Sequence, residues 1–368
     1  MSIRTVAACV AATAFAGTGV VAVVGGGSST PAAQAAASGP KIALLLPESK
    51  TARYESQDRP LFTKKVKALC KTCQIVYSNA NQDTTKQQNQ ADAALTQGVK
   101  VMVLDPVDSA SAAVIVNKAR KQGVPVIAYD RLLLNSHPNY YISFDNQKVG
   151  VLQATSLVSK LKSMGKGSGT IVMINGSPTD NNAGLFKKGA HSVLDKSGLK
   201  IGKEYDTPDW SPDQAQTEMQ QAITALGNNG FVGVYAANDG TSGGAIAAMK
   251  QAGIDPATRP ITGQDAELAG IQRIVAGEQY MTVYKAIKPE AEDAAVLAVS
   301  LATGKKLPKG LVNGKTWNKK IQVPSVILKP VAVTKANVKT TVVKDGFWKV
   351  SQICTKAYAS ACKAAGLQ

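Results

Sequence analysis

Four apolar, strand-like runs in this sequence each end in a short cluster of hydrogen-bonding residues. They read Val126-Ile-Ala-Tyr-Asp130-Arg131, Ile171-Val-Met-Ile-Asn-Gly-Ser-Pro-Thr-Asp180-Asn181-Asn182, Val232-Gly-Val-Tyr-Ala-Ala-Asn238-Asp239 and Ile261-Thr-Gly-Gln-Asp265. Carboxylates accept hydrogen bonds, amides both donate and accept, and a guanidinium is a forked donor. Such a mixture suits a small molecule with hydroxyls around its rim. Trp210, in Asp209-Trp210-Ser211-Pro212, adds a flat surface for the C–H face of a ring. Each position also has a structural reading. Asp130 with Arg131 can close a salt bridge, Trp210 can be a lone interface aromatic, and Lys285 can be a surface lysine. Of the pair before Gly240, Asp239 is expected to cap the next helix and Asn238 to face the ligand.

These clusters need elements that bring them together. A buried strand followed by a helix is the unit of an open α/β sheet, and such sheets bind ligands beyond the carboxyl ends of their strands. Strand-sized runs at 41–46, 74–77, 99–104 and 126–128 alternate with helical patterns such as 109–122, which predicts a parallel sheet. A second series at 170–174, 233–236, 260–262 and 281–283, with helices at 211–226, 240–251 and 266–276, predicts a second lobe. Tyr140-Tyr-Ile-Ser-Phe-Asp145 is read as the first strand passing between the two. From Pro308 the pattern weakens into loops and short β-branched pieces at 331–333 and 340–343.

The six segments Tyr129-Asp130-Arg131, Tyr141-Ile-Ser-Phe-Asp145-Asn146, Ser177-Pro-Thr-Asp180-Asn181-Asn182, Ala237-Asn238-Asp239, Gly263-Gln264-Asp265 and Met281-Thr-Val-Tyr-Lys285 stand in one order. In that order the chain resembles the xylose-binding protein-like, monosaccharide-binding components of ATP-binding-cassette importers, in the type I periplasmic binding protein superfamily. The resemblance spans Lys41 to Lys349. It implies two Rossmann-like lobes joined by three crossovers, with parts 41–145 plus 288–329 and 146–287 plus 330–368, and one sugar held between them. Carried over by position, the sugar ligands are Arg53, Asp130, Arg131, Asp180, Asn182, Trp210, Asn238, Asp265 and Lys285. Tyr54 stands where the family pattern has a tryptophan, so the aromatic floor on that side is smaller and carries a hydroxyl. The implied partners are an importer permease and its ATPase. No cofactor or metal is expected, and the protein is expected to act as a monomer.

The chain's ends and charge fit this picture. Met1-Ser-Ile-Arg4, an uncharged run from Thr5 to Val24 and Ala33-Gln-Ala35-Ala-Ala37 describe a secretory signal peptide over residues 1–37. An uncleaved anchor is the rival reading, and Val6-Ala-Ala-Cys9 follows Arg4 too closely for a lipoprotein box. The expected location is extracytoplasmic, in a periplasm or at the outer face of the cell membrane. The formal net charge is +17, of which only Arg4 lies in the segment 1–37. For an exported protein this balance points to an anionic cell surface rather than nucleic acid, since there is no sustained basic run or DNA-binding helix. Of the five cysteines, Cys70 with Cys73 and Cys354 with Cys362 are expected to pair locally.

Catalysis is poorly supplied. The two histidines, His137 and His191, have no nucleophile or metal set beside them, and no phosphate loop or nucleophile elbow is present. A glycosidase uses paired carboxylates, but a binding site uses the same groups to grip hydroxyls. The expectation is therefore a binding protein and no enzyme. A sensor that presents a sugar to a chemoreceptor or kinase is the alternative.

Overall fold

Strands that are apolar at every position need cover on both faces, and the alternation of strand and helix supplies it. The computed structural model describes residues 39–367; the expected export segment, residues 1–37, lies outside the described residues. The chain begins with β1 (Lys41–Leu46), α1 (Arg59–Leu69), β2 (Gln74–Asn79), α2 (Thr84–Thr96), β3 (Val101–Leu104), α3 (Ala113–Lys121), β4 (Val126–Tyr129) and β5 (Tyr140–Phe144). It continues with α4 (Asn146–Ser163), β6 (Thr170–Asn175), α5 (Asn181–Leu194), β7 (Lys200–Asp206), α6 (Pro212–Leu226), β8 (Gly233–Ala236), α7 (Asp239–Gln251), α8 (Leu268–Ala276) and β9 (Met281–Tyr284). It ends with α9 (Ile287–Thr303), β10 (Gly314–Trp317), β11 (Gln322–Leu328), β12 (Val331–Thr334), α10 (Val350–Ile353) and α11 (Ala359–Ala364).

The first lobe is built on a seven-stranded sheet of order β10-β11-β5-β4-β3-β1-β2. Its pairs are parallel except β10 with β11. In the second lobe, β7-β6-β8 and the antiparallel pair β12-β9 are joined through bridges Val234 to Ile261 and Gln264 to Val283, so 261–264 runs between β8 and β9. The chain crosses between lobes after β5, after β9 and after β11. Buried clusters cover both faces of both sheets, with Ile42, Val103 and Ile142 on one face of the first and Ala43, Met102 and Ala128 on the other. The corresponding pairs in the second lobe include Ile171 with Met173 and Val172 with Ile174.

Some expected elements differ. Residues 260–262 form only single bridges rather than a strand. The β-branched piece 340–343 is a π-helical turn, Lys339–Val343, because Val342 must point into the core shared with Val338 and Phe347. β7 was not anticipated, since it is largely exposed and has no apolar run to announce it. The tail is ordered by docking on the hinge side, where Trp348 Nε1 donates to the carbonyl of Ala266 at 2.8 Å. Disulfides join Cys70 to Cys73, between α1 and β2, and Cys354 to Cys362, in the tail. No described helix is long and apolar enough to cross a membrane.

Candidate ligand-binding cleft

The strand-end clusters meet at one small cavity between the lobes. Arg53, Tyr54, Asp130, Arg131, Asp180, Asn182, Trp210, Asn238, Asp265 and Lys285, the ten residues named from the sequence, all line it, together with Thr51, Phe186 and Gln264. Parallel strands put their carboxyl ends on one side, so the loops after β4, β6 and β8 and residue Asp265 before α8 converge there. Asp130, Trp210 and Asp265 have φ of 51°, 54° and 88°. Left-handed backbone in non-glycine residues is strained, and such strain gathers at functional sites.

Two buried cations, Arg53 from the first lobe and Lys285 from the second, organise one side of the cavity. Arg53 is held by Asp58 through Nε and Nη2, at 3.0 and 2.6 Å, and by Glu290 at 2.6 Å. Its remaining nitrogen, Nη1, lies 3.4 Å from Asp130 and 3.9 Å from Asp265. Lys285 Nζ lies 3.1 Å from Asp265 and 3.6 Å from Asp130. Tyr54 Oη donates to Asp130 Oδ2 at 3.1 Å, which leaves Oδ1 toward the two cations. Burial pushes the Asp130 carboxyl up, but Arg53, Lys285 and Arg131 together outweigh it and hold the carboxyl well below the usual range.

Arg131 does not pair with its sequence neighbour. It lies among Asp180 at 3.1 Å, Glu48 at 3.6 Å and Asp105 at 3.7 Å, and donates to the carbonyl of Pro106. One guanidinium serves three buried carboxyls, and burial raises the pKa of all three against its pull. The salt bridge weighed between Asp130 and Arg131 is thus replaced by two separate cages, one around Arg53 and one around Arg131.

The aromatic wall comes from the second lobe. Trp210 Nε1 donates to Asp180 Oδ2 at 3.1 Å, and its ring meets Phe186 edge-on at 6.2 Å between centroids. Asp180 also caps α5 through the Asn182 amide, so its oxygens are engaged by the protein. Asn182 bridges the lobes by donating from Nδ2 to the carbonyl of Asp130 at 2.9 Å. At Asn238-Asp239 the expected roles are corrected. Asn238 forms a capping box with Thr241 at the start of α7, so Nδ2 is the atom left for a ligand. Asp239 accepts from Glu267 N, Gln279 and Thr282 instead, bracing α8 and β9.

Arg53 Nη1, Asp130 Oδ1, Asp265 Oδ1 and Gln264 Oε1 are buried and make no hydrogen bond with the protein. Buried polar atoms normally find partners, and these four stand at the same cavity. Thr51, Phe186 and Gln264 were missed by sequence reasoning, as were Glu48, Asp58, Asp105 and Glu290 behind them. Glu48 and Asp105 follow β1 and β3, so the strand-end rule would have found them; Glu290 sits on a helix and carries no such signal. Among the described residues no set of three metal-binding side chains comes together.

Comparison with known proteins places the chain. A family pattern described as periplasmic binding protein domain matches residues 42–306. The D-xylose-binding periplasmic protein of Escherichia coli (strain K12) is 39% identical over 318 residues, covering 85% of this chain and 92% of its own. The multiple sugar-binding periplasmic receptor ChvE of Rhizobium radiobacter is 34% identical, covering 85% and 92%. A solute-binding protein of an ABC transporter from Clostridium phytofermentans, with bound β-D-glucose, superposes with a TM-score of 0.77 at 27% identity, covering 85% of this chain and 99% of that one. The match runs through the strand ends that wall the cavity, and the chain belongs to the periplasmic binding protein family.

Proposed function

We propose that this protein is an extracytoplasmic solute-binding protein that captures one monosaccharide, xylose or a related aldose, between its lobes and delivers it to an importer permease and its ATPase. The observation that carries this reading is the set of four unsatisfied polar atoms at a small cavity faced by Trp210, Phe186 and Tyr54. A pyranose offers hydroxyl donors to Asp130 Oδ1, Asp265 Oδ1 and Gln264 Oε1, a hydroxyl acceptor to Arg53 Nη1, and C–H faces to the rings. The relatives named as periplasmic support export, with residues 1–37 as the leader, and the lobes divide as 41–145 plus 288–329 and 146–287 plus 330–368. The cavity carboxylates are ion-paired with Arg53, Arg131 and Lys285 while Asp130 Oδ1 and Asp265 Oδ1 keep free acceptor capacity, which is the arrangement of a grip rather than of an acid and base pair.

Calorimetric titration with xylose, glucose, galactose, arabinose and ribose tests the proposal. One sugar is expected to bind one-to-one with a Kd near micromolar, about −8 kcal/mol. Asp130→Ala strands two buried cations and is expected to weaken binding by at least about a hundredfold, and Trp210→Ala removes the stacking face. Binding of none of the five sugars would overturn the monosaccharide reading.

A further inference from the structure

From Ala294 to Lys344 the sequence contains ten lysines and no acidic residue. All ten are exposed. The lysines that do find carboxylates among the described residues are Lys65, Lys118, Lys187, Lys250 and Lys285, none of them from this span. Six of the ten crowd into residues 305–320, around β10.

β10 is the outer strand of the seven-stranded sheet, with a partner on one side only. Lys315 and Trp317 alternate along it and project to the same side, while Val323 and Ser325 of β11 turn inward and are buried. Trp317 is 57% exposed, more than Leu69, Val114 or Val331, the other large apolar side chains at the surface. Lysines alone would be explained as guards against edge-to-edge pairing. A tryptophan set among them is not, because it makes the edge more adhesive.

The turn after β10 is fastened to the lobe. Asn318 Nδ2 donates to the carbonyls of Leu133 and Ser136, and Asn135 N donates to the Asn318 carbonyl. This brings Lys320 near His137, which lines a hollow with Arg120, whereas Lys319 turns to the lips of the cleft with Asp108 and Asp206. The imidazole is held below its usual pKa by slight burial, then by Lys320 and Arg120, and every charge acting on it is positive.

We infer that this outer edge of the first lobe, centred on Trp317, Lys315 and Lys320, docks on the surface of an anionic phospholipid bilayer. Tryptophan rings settle at the headgroup level of bilayers, and lysines around them are drawn to anionic headgroups. Trp317 pairs with Gln322 at the amino end of β11, whereas the sugar cavity lies at the carboxyl ends, so docking and ligand capture use separate surfaces.

Ser38–Gln368, which forms one compact unit, is cosedimented with vesicles of mixed phosphatidylglycerol and phosphatidylcholine and with vesicles of phosphatidylcholine alone. Binding is expected only to the anionic vesicles and is expected to fall with added salt. Combined Lys315→Gln and Lys320→Gln should weaken it about thirtyfold, and Trp317→Ser about tenfold. Sugar titrations and thermal melts that match the parent protein establish that the variants are folded. Absence of binding to anionic vesicles, or undiminished binding in both variants, overturns the inference. Capture by soluble polyphosphate without vesicle binding also overturns it, by reassigning the surface to a polyanion.

Discussion

Glu290 shows how the cage around Arg53 sets the chemistry of single residues. Four buried carboxyls, Asp58, Asp130, Asp265 and Glu290, share two cations, Arg53 and Lys285. Two cations cannot balance four carboxylates, which favours protonation within the cage. Glu290 is the candidate, because Oε2 accepts from Arg53 while Oε1 has no partner. Burial raises its pKa, Arg53 opposes, Asp130 and Asp58 add to the rise, and the result is pushed up to about 8. The folded state thus keeps a proton that the unfolded chain releases near 4.5. This contribution to stability is full below the unfolded value and is lost as pH rises toward about 8. Glu290→Gln keeps the acceptor for Arg53 and removes the titration. Its melting temperature is expected to change less between about pH 5 and 8 than that of the parent, with a gain of about 3–4 kcal/mol at the alkaline end. Parallel pH profiles for the two proteins, measured by calorimetry, would sink the assignment. At this scale the residues after strands were legible in the sequence, since Asp130 and Asp265 each close an apolar run. Glu290 was not, because its role is set by Arg53, 237 positions away.

The Trp210 wall depends on how two elements approach each other. Gly176 follows β6, and a Cβ built on it would lie 2.0 Å from the Trp210 ring. Only a hydrogen fits between the strand end and the indole. Gly176→Ala must push the ring into the cavity or away from Asp180, which holds Nε1. Overpacking of this kind costs about 1–3 kcal/mol. The expected result is a lower melting temperature together with sugar binding weakened by at least about tenfold, since the stacking face moves. Unchanged affinity would mean that the ring is not seated against Gly176. Elements with a clear period were readable, as in α6 and α7, where expected and observed limits agree to within a residue. β7 and the β10–β11 hairpin were not, because edge and surface strands show little apolar alternation and take their place from pairing with β6 and β5.

At the scale of the whole molecule, the lobes touch through a few hydrogen bonds at the lips of the cleft. Ser109 N donates to the Thr179 carbonyl at 3.0 Å, and Asn181 N donates to Ser109 Oγ at 3.1 Å. Thr179 Oγ1 donates to the Val107 carbonyl, Gln82 Nε2 to the Asp209 carbonyl, and Ala52 N to Glu267 Oε1, each at 3.2 Å. The two-lobe plan was readable from two successive α/β series, but these contacts were not, because they join loops far apart in sequence and rest largely on backbone groups. Contacts that form only when the lobes meet stabilise the closed state and leave the open state untouched. They should therefore act on ligand release and not on capture. Ser109→Ala removes the acceptor for Asn181 N while sparing the cavity lining. Loss of one hydrogen bond, about 0.5–1.5 kcal/mol, predicts a release rate raised about two- to tenfold with an unchanged association rate, measured by stopped-flow fluorescence with the best sugar. Gln82→Ala lies at a separate contact, and the double variant is expected to multiply the two effects. Faster association with unchanged release would instead show that the lips meet before the sugar arrives, so that opening, and not closure, limits the encounter.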